Sequence, residues 1–211
     1  MQTEGKRDVR DTLAKTFSII FHPLLMPVYG LAIIFSSPTL FGYLPFGVKK
    51  LLLLIVLVNN VFLPMSLMPF LFHRGIITTW TVDERKERLI PLILTTVLYG
   101  ATSFIIFKFP LPLFLKSFIF GATFLSVLVT VINLKWKISI HSVGAGALIA
   151  MVLILSFRMY TPLVWHIVSV VVASGIVLSS RLRLNYHNPR QVWFGLFTGF
   201  AGLTIFMLFI H

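Results

Sequence analysis

The sequence predicts an all-α integral membrane protein, a helical bundle of six to seven transmembrane helices, and three observations carry that prediction. Of its 211 residues, 57% are hydrophobic and only 11% are charged, where an ordinary soluble domain has about a quarter charged. The mean hydropathy is +0.95. The apolar residues also fall into runs of about 20, the length that crosses a bilayer. Seven such runs nearly exhaust the chain, so a single transmembrane domain is expected over 17–211, preceded by a surface tail over 1–16.

The tail carries Lys6, Arg7, Arg10 and Lys15. The first run, 17–36, is interrupted by Pro23 and Pro27, which predicts a kink. It is also too long and too broken for a cleaved secretory signal. A loop is expected over 41–50. The second run, 51–72, contains Asn59 and Asn60, whose amides are expected to hydrogen-bond a neighbouring helix. The third run, 89–107, ends in a Pro-rich turn at 108–112, and the fourth covers 113–134. The fifth, 139–157, holds Gly144, Ala145, Gly146 and Ala147, small residues that let helices approach closely. The sixth and seventh cover 161–178 and 192–210. Neither an internal repeat nor a low-complexity linker is present.

Three polar islands, at 73–88, 135–141 and 180–191, are each separated from the next by two spans, so all three emerge on one face of the bilayer. The formal charge is +12, from eighteen basic and six acidic residues. Cations in short loops between apolar spans point to lipid headgroups or an anionic substrate rather than nucleic acid. Without cysteine, disulfides and thiolate chemistry are excluded. No cluster of carboxylates, histidines or thiols stands at metal-ligand spacing and no acidic residue follows Glu87, so no metal is expected; no cofactor is expected either.

The third island reads Ser180-Arg181-Leu182-Arg183-Leu184-Asn185-Tyr186-His187-Asn188-Pro189-Arg190-Gln191, followed by Val192 and Gly195. Guanidinium groups suit phosphate because their planar fork donates two parallel hydrogen bonds and stays charged. An imidazole can attack or shuttle a proton near neutral pH. A basic loop obeying the positive-inside rule is the plainer alternative. The spacing Ser-Arg-x5-His-x3-Gln-Val-x2-Gly resembles the third signature motif of the type 2 phosphatidic acid phosphatase superfamily, with Gln191 where the family usually has Asp. The second island, with Ser139, His141 and Ser142, resembles the family's Pro-Ser-Gly-His-Ser motif, with Ile138 and Ile140 replacing the proline and glycine. The first island matches the family's Lys-x6-Arg-Pro motif only at Pro91, with Ile90 in the arginine's place. Arg85, Lys86 and Arg88 are candidates to supply its charge, with Arg85 and Arg88 expected on one helix face at i, i+3, and mixed charges pairing along an interfacial helix are the alternative.

The resemblance implies a metal-independent membrane lipid-phosphate phosphatase acting on a phosphate monoester or diphosphate of a lipid. His187 would be the nucleophile that forms a phosphohistidine, and His141 the general acid. Gln191 would orient His187, and Arg181, Ser139, Arg85, Lys86 and Arg88 would bind phosphate. Outside the motif, Asp83, Glu84 and Glu87 of the first island are the carboxylates that could approach His187. The expected location is the bacterial inner membrane. Thirteen of the eighteen basic residues share the island face. Counting positive charges therefore puts the site in the cytoplasm, whereas six-span members of the family usually place it outside. Two alternatives stand beside this expectation. One is a binding or transport protein for lipid phosphates on the same scaffold. The other is a membrane prenyltransferase, which would need two Asp-rich motifs for Mg²⁺, while this chain has one acidic cluster.

Overall fold

A computed structural model of the chain describes residues 9–79 and 84–209, and every regular element among them is helical. Helices α1 (Val9–Ile20) and α2 (Met26–Ser36) form the first span, and α3 (Phe46–Leu57) with α4 (Leu63–His73) the second. The remaining five spans are single helices: α5 (Leu89–Phe107), α6 (Leu113–Lys135), α7 (Ile140–Arg158), α8 (Val164–Arg183) and α9 (Pro189–Phe209). The protein is a helical membrane bundle, and among the described residues seven helices or helix pairs are long and apolar enough to cross a bilayer. Helix α7 is the most enclosed span and packs against α2, α8 and α9, while α5 pairs with α6 and α1 with α8.

The breaks in the first two spans have local causes. Pro23 opens a 3-10 turn, Pro23–Leu25, in which the Leu24 amide donates to Nδ1 of His22. Pro27 then lies in the first turn of α2, where a missing N–H costs nothing. In the second span Pro64 cannot donate to the carbonyl four residues back, and the helix widens to a π turn at Val58–Phe62. Within that turn Asn60 is buried and accepts from Oγ1 of Thr102 on α5 at 2.6 Å, the interhelical role expected of an amide there. Hydroxyls join α5 to α6 in the same manner: Thr96 pairs with Ser126 (2.7 Å) and Thr130 (3.0 Å), and Ser103 with Thr123 (2.7 Å).

Two boundaries differ from the sequence expectation. The surface tail expected over 1–16 is helical from Val9 onward and docks on α8, where Nε of Arg183 donates to Asp11 at 2.7 Å; residues 1–8 lie outside the described residues. Its charged residues, Arg10, Asp11 and Lys15, are exposed and lower the mean hydropathy of the segment, so hydropathy alone does not register the helix. The loop expected over 41–50 ends at Phe46, where α3 begins, and Lys49 uses its ammonium to close the α2–α3 turn by donating to the carbonyls of Phe35 and Gly42.

Helices α7 and α9 cross with their backbones in close approach. Gly195 and Gly199 form a Gly-x3-Gly pair on α9, and Gly146 faces them from α7. A Cβ at Gly199 would overlap the Val143 carbonyl, and one at Gly146 the Leu196 carbonyl, so neither clash can be relieved by a side-chain rotation. Gly199→Ala is therefore expected to lower the thermal midpoint of the detergent-solubilised protein, because overpacking costs about 1–3 kcal/mol. Gly175 on α8 has open space where a Cβ would stand. Gly175→Ala is expected to leave the midpoint unchanged or raise it slightly through helix propensity. Equal midpoints for the two variants would contradict the close crossing.

Candidate functional site

The loop between α8 and α9 is shaped by two helix ends. Arg183 closes α8, and Asn185 follows in the left-handed conformation (φ 54°), its amide donating to the Leu182 carbonyl at 3.1 Å. Asparagine is among the few residues that adopt this turn readily. Asn188 then caps α9, with Pro189 as the first helical residue. The Gln191 backbone N–H donates to Oδ1 of Asn188 (2.9 Å), and the Asn188 backbone N–H donates back to Oε1 of Gln191 (3.3 Å), a reciprocal capping box. Between these two ends the chain folds inward and buries His187, which is 6% exposed.

The capping box also sets the state of His187. Its Nδ1 lies 2.9 Å from Oε1 of Gln191, the same atom that accepts the Asn188 backbone N–H. A backbone N–H only donates, so the atom facing it is the amide oxygen, and His187 must carry its proton on Nδ1. The lone pair is left on Nε2. Burial lowers the pKa of this imidazole to about 4; the Gln191 hydrogen bond opposes the shift, while the positive charges of Arg88, Arg181 and Lys137 add to it. At neutral pH His187 is an uncharged ring with a free nitrogen lone pair.

His141 sits in the first turn of α7, and its Nε2–H donates to the Ser18 carbonyl of α1 at 3.1 Å. Its Nδ1 is thereby left as the acceptor. The ring of His22 packs edge-on against it, with centroids 5.7 Å apart and planes at 79°. Arg181 is buried in the last turn of α8, its guanidinium 4.5 Å from the centre of the Tyr186 ring, and Arg88 is buried at the start of α5. These five side chains, His22, His141, His187, Arg88 and Arg181, line one cavity of about 400 Å³. The rest of its wall is mainly apolar, running down one face of α5 through Leu92 to Tyr99 and past Leu125, Phe118 and Leu148. From Arg88 to Tyr99 the helix rises roughly 16 Å, about half of the hydrocarbon core.

Of the residues singled out in the sequence, His141, His187, Arg181 and Arg88 converge on this cavity, and Gln191 touches His187. The other three do not. Arg85 donates to the carbonyls of Asn133 (3.3 Å) and Leu134, and Asn133 returns a bond to the Arg85 carbonyl at 3.2 Å. It thus serves the C-terminal carbonyls of α6, which have no partner within their helix and form the negative end of its dipole. Arg85 and Arg88 do not share a helix face, because 85–88 is a turn preceding α5. Lys86 is exposed and away from the cavity. Ser139 is fully buried; it accepts from the Ser142 hydroxyl at 2.9 Å, and its amide donates to the Gln191 carbonyl at 3.4 Å. Ser139 is a strut between α7 and α9 and does not face the cavity.

No carboxylate reaches His187 among the described residues. Glu87 accepts from the amide (3.0 Å) and hydroxyl (2.8 Å) of Thr78, Glu84 is exposed, and Asp83 lies outside the described residues. Nor is any group of three His, Cys, Asp or Glu side chains there placed to hold a metal. Three contributors were not singled out in the sequence: His22, the Tyr186 ring under Arg181, and Lys137 with its charge near His187. His22 carried a usable signal, an ionisable side chain inside an apolar run and just before a proline.

The titration of His187 follows from this setting. In a ¹³C-histidine NMR titration of the full chain, His187 is expected to protonate near pH 4, well below 6.5. Between pH 6.5 and 4 the unfolded chain binds a proton that the native state does not. The contribution of His187 to stability is therefore intact above pH 6.5 and lost as pH falls through that window. Gln191→Glu keeps the reach needed for the capping box and adds a charge, so it should raise the midpoint. A parent midpoint near 6.5 would contradict the buried geometry. Comparison of the chain with known protein families, with curated proteins and with solved structures returned no match.

Proposed function

We propose that the protein is a lipid-phosphate phosphatase of the cell membrane, the bacterial inner membrane being its location, which hydrolyses a phosphate monoester or diphosphate on an apolar anchor. The observation that carries this reading is the two-part cavity: histidines and buried arginines at one end, an apolar slot for the rest of its length. The spacing of the third island, which resembles the type 2 phosphatidic acid phosphatase motif, supports it independently.

The chemistry needs only groups of this chain. A singly charged phosphate first gives its proton to Nδ1 of His141; Nε2 of His187 then attacks phosphorus while the ester P–O bond breaks, and the departing oxygen takes that proton from His141. Arg88 and Arg181 hold the equatorial oxygens as charge shifts on them. Water then attacks the phosphohistidine, surrenders a proton to Nδ1 of His141 and breaks the P–N bond, and the inorganic phosphate released takes that proton from His141 as it leaves. Both imidazoles return to their starting states. A second reading, a protein that binds lipid phosphates without turnover, is favoured by one observation: His187 is oriented by an amide, where a carboxylate would stabilise the positive charge that forms during attack.

Phosphate release from phosphatidate, phosphatidylglycerophosphate, an isoprenoid diphosphate and a lipid A phosphate separates the two. The purified protein is expected to release phosphate from at least one of them, undiminished by EDTA, and His187→Ala to lose on the order of 10³-fold or more in kcat. Binding of these lipids with no release would establish the second reading. Loss of turnover in EDTA with rescue by Mg²⁺ would show that a metal does the work assigned here to arginine.

A further inference from the structure

We propose that His22 is a third histidine of the site and contacts the bound phosphate, donating a hydrogen bond from Nε2; the proposal rests on the phosphate-ester reading of the cavity. No part of the resemblance to a known motif includes this residue. His22 lies in the middle of the first span, where the helix is interrupted between α1 and α2. The interruption gives it an extended backbone (φ −63°, ψ 139°), so its side chain is not confined to a helix face.

Three observations fix what the ring can offer. Its Nδ1 accepts the Leu24 amide N–H at 3.3 Å, so in the neutral ring the proton resides on Nε2. The ring lines the same cavity as His141, His187, Arg88 and Arg181. It also packs edge-on against His141, which brings it to the level of the polar end. With Nδ1 committed to the backbone, the group left for a ligand is an N–H donor. Among the described residues no carboxylate lines the cavity. A phosphate oxygen on the substrate is the acceptor that suits this donor, between two guanidinium groups that already make the potential positive. The division of labour is then clear: His187 presents a lone pair, His141 presents Nδ1 for proton exchange, and His22 presents a fixed N–H.

The test separates the donor from the cap. Asparagine at position 22 keeps a short side-chain acceptor for the Leu24 amide but has nothing where Nε2 stands. The full-length protein in detergent is titrated calorimetrically with inorganic phosphate. His22→Asn is expected to bind phosphate about tenfold more weakly, the loss typical of one hydrogen bond to a charged group, with an unchanged thermal midpoint. His22→Gln, which places an amide donor near the Nε2 position, should bind within about threefold of the parent on the same basis. An affinity in His22→Asn within twofold of the parent overturns the proposal, as does a Gln variant as weak as the Asn variant, or a parent that binds no phosphate. The phosphatase reading fails separately: a parent that binds phosphate but hydrolyses no lipid leaves the role of His22 standing, and a parent that turns over with unaltered binding in His22→Asn leaves only the phosphatase.

Discussion

The site depends on how closely α7 and α9 cross. His141 stands at the start of α7 and His187 just before α9, so the distance between those helix ends sets the distance between the two imidazoles. Gly195 makes the approach possible: a Cβ there would come within 2.7 Å of the Ser139 carbonyl and 3.1 Å of the Ser142 side chain. The Ser139 amide reaches the Gln191 carbonyl, and the two serines bond to each other in full burial. In the bilayer no hydrophobic force draws helices together, and close backbone packing with buried hydrogen bonds takes its place. Ser139, Ser142 and Gly195 hold the two helices together, while His141 and His187 face the cavity.

Electrostatics in the cavity follow from the same enclosure. Two buried guanidiniums and a nearby lysine raise the potential around His187, and burial removes the water that would stabilise an imidazolium. The result is a neutral ring beside fixed positive charge. Its tautomer is decided by helix initiation: Asn188 as cap and Gln191 three residues on are the ordinary requirements for starting α9. A local rule of backbone hydrogen bonding thereby settles which nitrogen of His187 faces the cavity.

Much of this was legible in the sequence, and the gaps have physical causes. The third span, 89–107, coincides with α5 to the residue, because charge ends abruptly on both sides of it. Elsewhere the helices extend past the apolar runs, as α8 does to Arg183, since a terminal turn tolerates basic residues that reach toward the interface. The meeting of His141, His187 and Arg181 needed only an even number of spans between islands. What spacing did not reveal was which cations face inward: Arg85 and Arg88 are three residues apart in a basic cluster, yet a turn sends one to the carbonyls of α6 and the other into the cavity. Ser139 matched a motif but lies on the helix-packing side. His22 belongs to no motif and lies in a run whose conspicuous feature is its prolines.

Gln191 is where the fold and the proposed chemistry meet. A carboxylate at that position would make the imidazole more basic and would stabilise the cation formed as Nε2 attacks phosphorus. It would also set a negative charge against the cavity that Arg88 and Arg181 make positive, weakening the field that recruits an anionic headgroup. The amide keeps the orientation and the capping bond while leaving that field undiminished. On the phosphate-ester reading this chain therefore trades nucleophile strength for anion affinity. That trade suits a site in which donors are plentiful: two guanidiniums, and an imidazole N–H from the broken first span.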